Sequence, residues 1–488
     1  MEKKKKYLIL GIIILLALGG VTVAYLTWSS NKINIGLNSD CFTIDYTKGG
    51  DINNASVKLM NESDLIDSNN KFTIKEGIAL TYANIGIKST CGIEGYGSLY
   101  LNITSLSDAF TTGNSKGALK YAILKNTSTS TVSVANLLNQ SFDIEKKGSI
   151  TSTGTKKILT KQLSNTEVNK YIIVIYIDKS LSGNDVIGAS FSGKISADAN
   201  QGTAILGAAG DITDLYTKAS KEQVFSHINY NKAPSVNLMN DRLGGTTTSL
   251  DGGNIRYYGA TPNNYIYFNC SDYSNQTSST CEVWRIIGVF DGKVKLIRNT
   301  LIGNRQWSST NNDWSSATLK TYLNGNYYNN LKNDPTRNLI AETTWYLGGW
   351  STEGVYSDQM YGYERGATVY SENSTTWKGK IALAYPSDYG YAVDLSKCSY
   401  KDLDGYDDTT CTSNNWMKAI LGTSSQGWLL THLSSSSLIV FYVHSSGSVS
   451  NYGIDIAQGV APVLYLNSDV EFKDGDGSSA KPYQLSAQ

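Results

Sequence analysis

All six prolines of this 488-residue chain lie at Pro234 or beyond, and all seven arginines lie at Arg242 or beyond. Eight of the nine tryptophans fall between Trp284 and Trp428. A change of residue usage this abrupt, in a chain this long, predicts two domains with separate cores. The first half is rich in Lys, Thr, Ser and Ile. It carries β-branched and aromatic runs such as "YGSLYLNIT", "NKYIIVIYID" and "GASFSGKISADA", bounded by Gly, Asn and Ser turns. Repeated short runs of this kind predict an all-β sandwich over residues 29–199. Residues 200–240 read as a connector with a weak helical pattern.

The second half, 241–488, predicts a mixed α+β domain. In "CEVWRIIGVFDGKVKLIRN" two apolar runs flank Asp291-Gly292, a strong two-residue hairpin signal. The unbroken apolar run Val460 to Leu466 predicts a fully buried strand. Pro462 inside it predicts an edge or a bulge. "SSATLKTYLNGNYYNNL" and "NNWMKAIL" predict short helices.

The first 28 residues set the compartment. Lys3 to Lys6 precede an uncharged, mostly apolar stretch from Tyr7 to Trp28. At about 1.5 Å per residue that stretch reaches across a ~30 Å hydrocarbon layer, and the lysines belong on the cytoplasmic side. Residues 1–28 are therefore expected to be a signal or a transmembrane anchor. The remainder is expected outside the cell, held at the membrane or secreted after cleavage. The six cysteines agree with an oxidising compartment. None has metal-finger spacing, and they fall into neighbouring pairs: Cys41 with Cys91, Cys270 with Cys281, Cys398 with Cys411.

Several function classes lose support. Formal net charge is zero with 17% charged residues, so no basic stripe points to nucleic acid. The three histidines, His227, His432 and His444, offer no metal set, although the last two fall where a hairpin brings chain together. No nucleophile elbow, zinc-protease motif or phosphate loop occurs. The expectation is no enzyme, no cofactor, no metal and no catalytic residue. The acidic loop from Asp402 to Asp408 fails the calcium-loop spacing, since Gly405 comes one place early and Ser413 stands where a Glu is needed. It reads instead as a surface loop closed by Cys398 and Cys411. The segment "WYLGGWSTEGVYSDQMYGYERGATVYSENSTTW" is dense in aromatic and small polar residues. Trp345, Trp350, Tyr361, Tyr363 and Trp377 are its candidate ligand-binding residues.

The segments "CEVWRIIGVFDGKVKLIR", "WKGKIALAYPSDYGYAVDLSKC", "CTSNNWM", "GWLLT" and "GVAPVLYLNSDVEFKDGDGSSAKPYQL" resemble, in order, a domain of secreted and surface proteins of low-GC gut bacteria. That domain is of C-type-lectin-like type, related in shape to formylglycine-generating enzymes. The resemblance implies a binding scaffold. With the aromatic segment beside it, the expectation is an adhesin-type module for an extracellular glycan or protein. At the other end, "LGGVTVAYLTWSS" followed by a β-rich region resembles the TasA/camelysin family of exported matrix proteins. That resemblance implies the alternative of a fibre subunit. An exported formylglycine-type enzyme is the third reading, and a less favoured one, since the cysteines are better used as disulfides.

Overall fold

The computed structural model describes residues 42–53, 57–89, 95–164, 167–201, 205–225, 229–241, 253–352, 354–398 and 401–486. The expected membrane segment 1–28, Cys41, Cys91 and His227 lie outside the described residues. No helix among the described residues is long and apolar enough to cross a membrane. The chain is rich in β-sheet and divides into two compact units, the boundary falling between Ala204 and Ile205.

In the first unit, a seven-stranded sheet and a four-stranded sheet share one core. Ile85, Tyr121 and Ile173 come from the larger sheet, and Leu101, Ile158 and Ile195 from the smaller. The strand Val168–Asp178 explains its own composition. Its side chains alternate between two faces, and both faces are covered. Ile173, Ile175 and Ile177 enter the shared core, whereas Ile172, Val174 and Tyr176 join a second cluster with Phe72, Leu137 and Phe142. A strand buried on both sides reads as a continuous apolar run, and "YIIVIYI" is one.

The second unit is built on a nine-stranded sheet and a five-stranded sheet. The hairpin forms as expected. Glu282–Phe290 pairs antiparallel with Lys293–Arg298, and Asp291 and Gly292 turn the chain with φ of 47° and 70°. Positive φ at both central residues is the type I′ geometry that matches strand twist, and Asp-Gly adopts it with least strain. Val463–Tyr465 is buried but is no edge strand. It pairs with Lys293–Arg298 on one side and Ile381–Ala382 on the other. Pro462 stands just before the strand, where its missing N–H breaks no ladder bond, and its carbonyl accepts from Arg298 N at 3.0 Å.

Residues 205–240, expected as connector, belong to the second unit. They supply the helix Gly207–Lys218 and the strands Glu222–Phe225, Asn229–Ala233 and Leu238–Asn240 of the nine-stranded sheet. Ala208, Ile212, Tyr216, Tyr230 and Met239 enter its core. The stretch lacks the tryptophans that mark the rest of this unit, but apolar residues at helical and strand spacing suffice to bury it. Two disulfides close short loops, Cys270–Cys281 and Cys398–Cys411, with Cα separations of 3.9 and 4.8 Å.

Candidate functional site

The nine-stranded sheet carries charge in its interior. Arg256 lies in the strand Ile255–Tyr257 and Lys295 in Lys293–Arg298. Both face Gly288 in register, one from each side. A Cβ at Gly288 would sit 2.1 Å from the Ile255 carbonyl oxygen, so only glycine allows these strands to approach.

Asp388 supplies the counter-charge to both cations. Its place follows from the local sequence "AYPSDYGY". Pro386 begins the helix Pro386–Tyr391, and Asp388 in its first turn accepts from Tyr385 N at 3.0 Å. One carboxylate oxygen accepts from Arg256 Nη1 at 3.0 Å, and the other from Lys295 Nζ. Asp241 takes the remaining side of Arg256, with Nε donating at 2.5 Å, and also receives the amide of Asn254 at 2.9 Å. The four charges therefore alternate Asp241, Arg256, Asp388, Lys295 and sum to zero. Burial pushes the Asp388 carboxyl up, but Lys295 and Arg256 more than reverse this and hold it below the ordinary range. Burial draws the Lys295 ammonium down to about 8 against the pull of Asp388. Rings of Tyr385, Phe290, Tyr465 and Trp345 surround Lys295 Nζ at 4.4 to 5.6 Å.

Beside this cluster, the helix Ser357–Glu364 ends in a second charged pair. Glu364 is fully buried and accepts from Ser387 N at 2.9 Å and Ser387 Oγ at 2.5 Å. Burial pushes its carboxyl up to about 7, although Arg365 pulls the other way. Arg365 lies against the Tyr361 ring, 3.4 Å from guanidinium carbon to centroid. It borders a pocket that opens between Asn254, Asp291, Lys293, Thr343, Thr344 and Tyr346, with space for water centres of about 20 Å³.

The five candidate aromatic residues separate. Trp350 and Tyr363 meet face to face, with ring centroids 3.6 Å apart and planes 3° from parallel, and both remain half-buried. The Trp350 indole donates to Thr352 Oγ1 at 3.0 Å. Trp345 is 1% exposed and donates to the Gly379 carbonyl at 3.1 Å, so its ring is core and has no face for a ligand. Tyr361 is buried as well, its ring taken by Arg365 and its hydroxyl by Asn254. Trp377 pairs with Trp345 across the two-stranded antiparallel sheet Thr343–Tyr346/Thr376–Gly379 and packs edge-on against Trp314.

His432 and His444 do not meet. The hairpin register sets His432 opposite Val440 and Val443 opposite Gly427, so the two histidines stand at opposite ends. His432 is buried, its Nε2 receives the Tyr370 amide at 3.4 Å, and burial lowers its pKa to about 4. No group of His, Cys, Asp and Glu able to hold a metal occurs among the described residues.

In the acidic loop, Asp402 and Asp408 hold backbone amides. Asp402 accepts from Gly405 N at 2.9 Å, and Asp408 caps the helical turn Thr409–Thr412 by accepting from Thr410 N at 2.8 Å. Leu403 and Tyr406 anchor the loop in the core. The charged core has a signal in the sequence: Arg256 in "NIRYYG" and Asp388 in "LAYPSDYGYA" are single charges inside apolar runs. No protein-family model matches the chain, and no curated protein matches it in sequence.

Proposed function

We propose that the chain is a bacterial cell-surface or secreted protein whose second unit is a lectin-like, adhesin-type binding module, displayed by the β-rich first unit acting as a stalk. The observation that carries this reading is the stacked Trp350–Tyr363 pair. Two parallel rings, half open and flanked by the hydroxyl of Thr352, form the kind of flat apolar surface with a polar edge on which a sugar ring or an extended peptide packs. Two closed disulfides support a life outside the cell, where the first 28 residues direct the chain. The N-terminal segment accounts for membrane attachment, and the partner is an extracellular glycan or protein.

Binding of the intact chain to a broad glycan and protein array, alongside Trp350→Ala, tests the reading. Selective binding that Trp350→Ala abolishes is the expected result. Silence across the array, with the protein recovered as polymer, favours a fibre subunit instead.

A further inference from the structure

We propose that the pocket bordered by Arg365 binds the carboxylate of a small anionic ligand. Arg365 spends only Nη1 on the protein, in two long contacts: Tyr361 O at 3.4 Å and Glu364 Oε2 at 3.3 Å. Nε and Nη2 have no protein acceptor among the described residues. These two donors form the planar fork that matches a carboxylate in bidentate fashion. The fork is pre-positioned, because the guanidinium rests on the Tyr361 ring, with Tyr346 and Tyr385 at 5.3 and 5.5 Å. Holding the side chain in place beforehand removes part of the ordering cost of binding.

The surroundings select the ligand. Space for water centres of about 20 Å³ admits a head group and not a whole sugar ring. Lys293 adds a positive charge to the lining, whereas Asp291, also in the lining, opposes a doubly charged anion such as phosphate. Thr343 and Thr344 offer hydroxyls, and the exposed edge of Tyr346 offers a surface for the rest of the molecule. Glu364 does not neutralise Arg365 fully, because burial raises its carboxyl to about 7, which leaves it half protonated at neutral pH and increasingly protonated below. Neither Trp350 nor Tyr363 lines this pocket, so the inference stands apart from the array result.

The test is a titration of the intact chain with glucuronate, acetate, glucose and inorganic phosphate, followed by calorimetry or by NMR shifts. Saturable binding of glucuronate, with glucose silent and phosphate weaker than acetate, is expected. Glucuronate tighter than acetate identifies an acidic sugar, and equal affinity identifies a bare carboxylate site; both support the proposal. Arg365→Gln should weaken binding by about tenfold or more, and Arg365→Lys should restore only part of it. Because Arg365 is largely buried, Thr344→Glu serves as a second variant. Thr344 is exposed and lines the same pocket, so the change leaves the core intact and adds a competing carboxylate to the lining. It too should weaken binding by about tenfold or more. The proposal is overturned by the absence of saturable carboxylate binding, by glucose binding as well as glucuronate, by phosphate outbinding acetate, or by Thr344→Glu binding like wild type.

Discussion

Arg256 Nη1 lies 3.0 Å from Asp388 Oδ1, and both side chains are 1% exposed. Asp388 also holds Lys295, so one carboxylate bridges two buried cations, and Asp241 on Arg256 supplies the second negative charge. Asp388→Asn leaves Lys295 uncompensated in the core and should cost about 3–5 kcal/mol in denaturant unfolding. The double variant Lys295→Met/Asp388→Asn removes a pair and should be less destabilised than the sum of its singles, by about 1–3 kcal/mol. Additive losses would show that the two residues are not coupled.

Glu364 gives the second unit a pH dependence of defined sign. Its folded pKa of about 7 lies above the ordinary value of 4.5, and it faces Arg365, Asp388 and the Ser387 hydroxyl. The folded state therefore takes up a proton, and this contribution is full below pH 4.5 and lost as pH rises to 7. Glu364→Gln should remove that loss and raise stability at pH 8, by on the order of 3 kcal/mol. Urea midpoints measured across this range check it.

His432 works in the opposite direction. Burial depresses its folded pKa from 6.5 to about 4, against the pull of the Asp313 charge. Its contribution is full above pH 6.5 and lost as pH falls to 4. Between pH 4.5 and 6.5 the two groups oppose each other. His432→Gln should expose the Glu364 slope, with stability falling as pH rises, and Glu364→Gln should expose the His432 slope, with stability falling as pH drops. Parallel slopes in the two variants would falsify the assignment.

The two tryptophans of the aromatic segment should separate stability from binding. Trp345→Ala opens a core cavity and should cost about 3–5 kcal/mol. Trp350 is half-buried, so Trp350→Ala should cost less than about 2 kcal/mol while removing array binding. Thermal melting beside the array reads both effects.

The Cys398–Cys411 bond spans 13 residues and should contribute about 3 kcal/mol through loop closure. Cys398→Ser/Cys411→Ser should lower the melting temperature and leave carboxylate binding by the intact chain unchanged, since neither cysteine lines the Arg365 pocket. A loss of binding in the folded variant would tie the acidic loop to the site.

What the sequence by itself determined is local. The Asp291-Gly292 turn follows from the φ each residue tolerates, and the Cys270–Cys281 and Cys398–Cys411 pairs follow from short spacing. The strand Val168–Asp178 follows from its β-branched and aromatic run. Each of these depends on near neighbours, so each was legible. The tertiary structure alone decided which aromatic residues became core, because Trp345 and Trp350 differ only in what covers them. It alone drew residues 205–240 into the second unit, and it alone set His432 and His444 apart through hairpin register. The charged core depends on it most. Arg256 and Asp388 stand 132 positions apart, and each charge is tolerable in the interior only because folding brings the other to it.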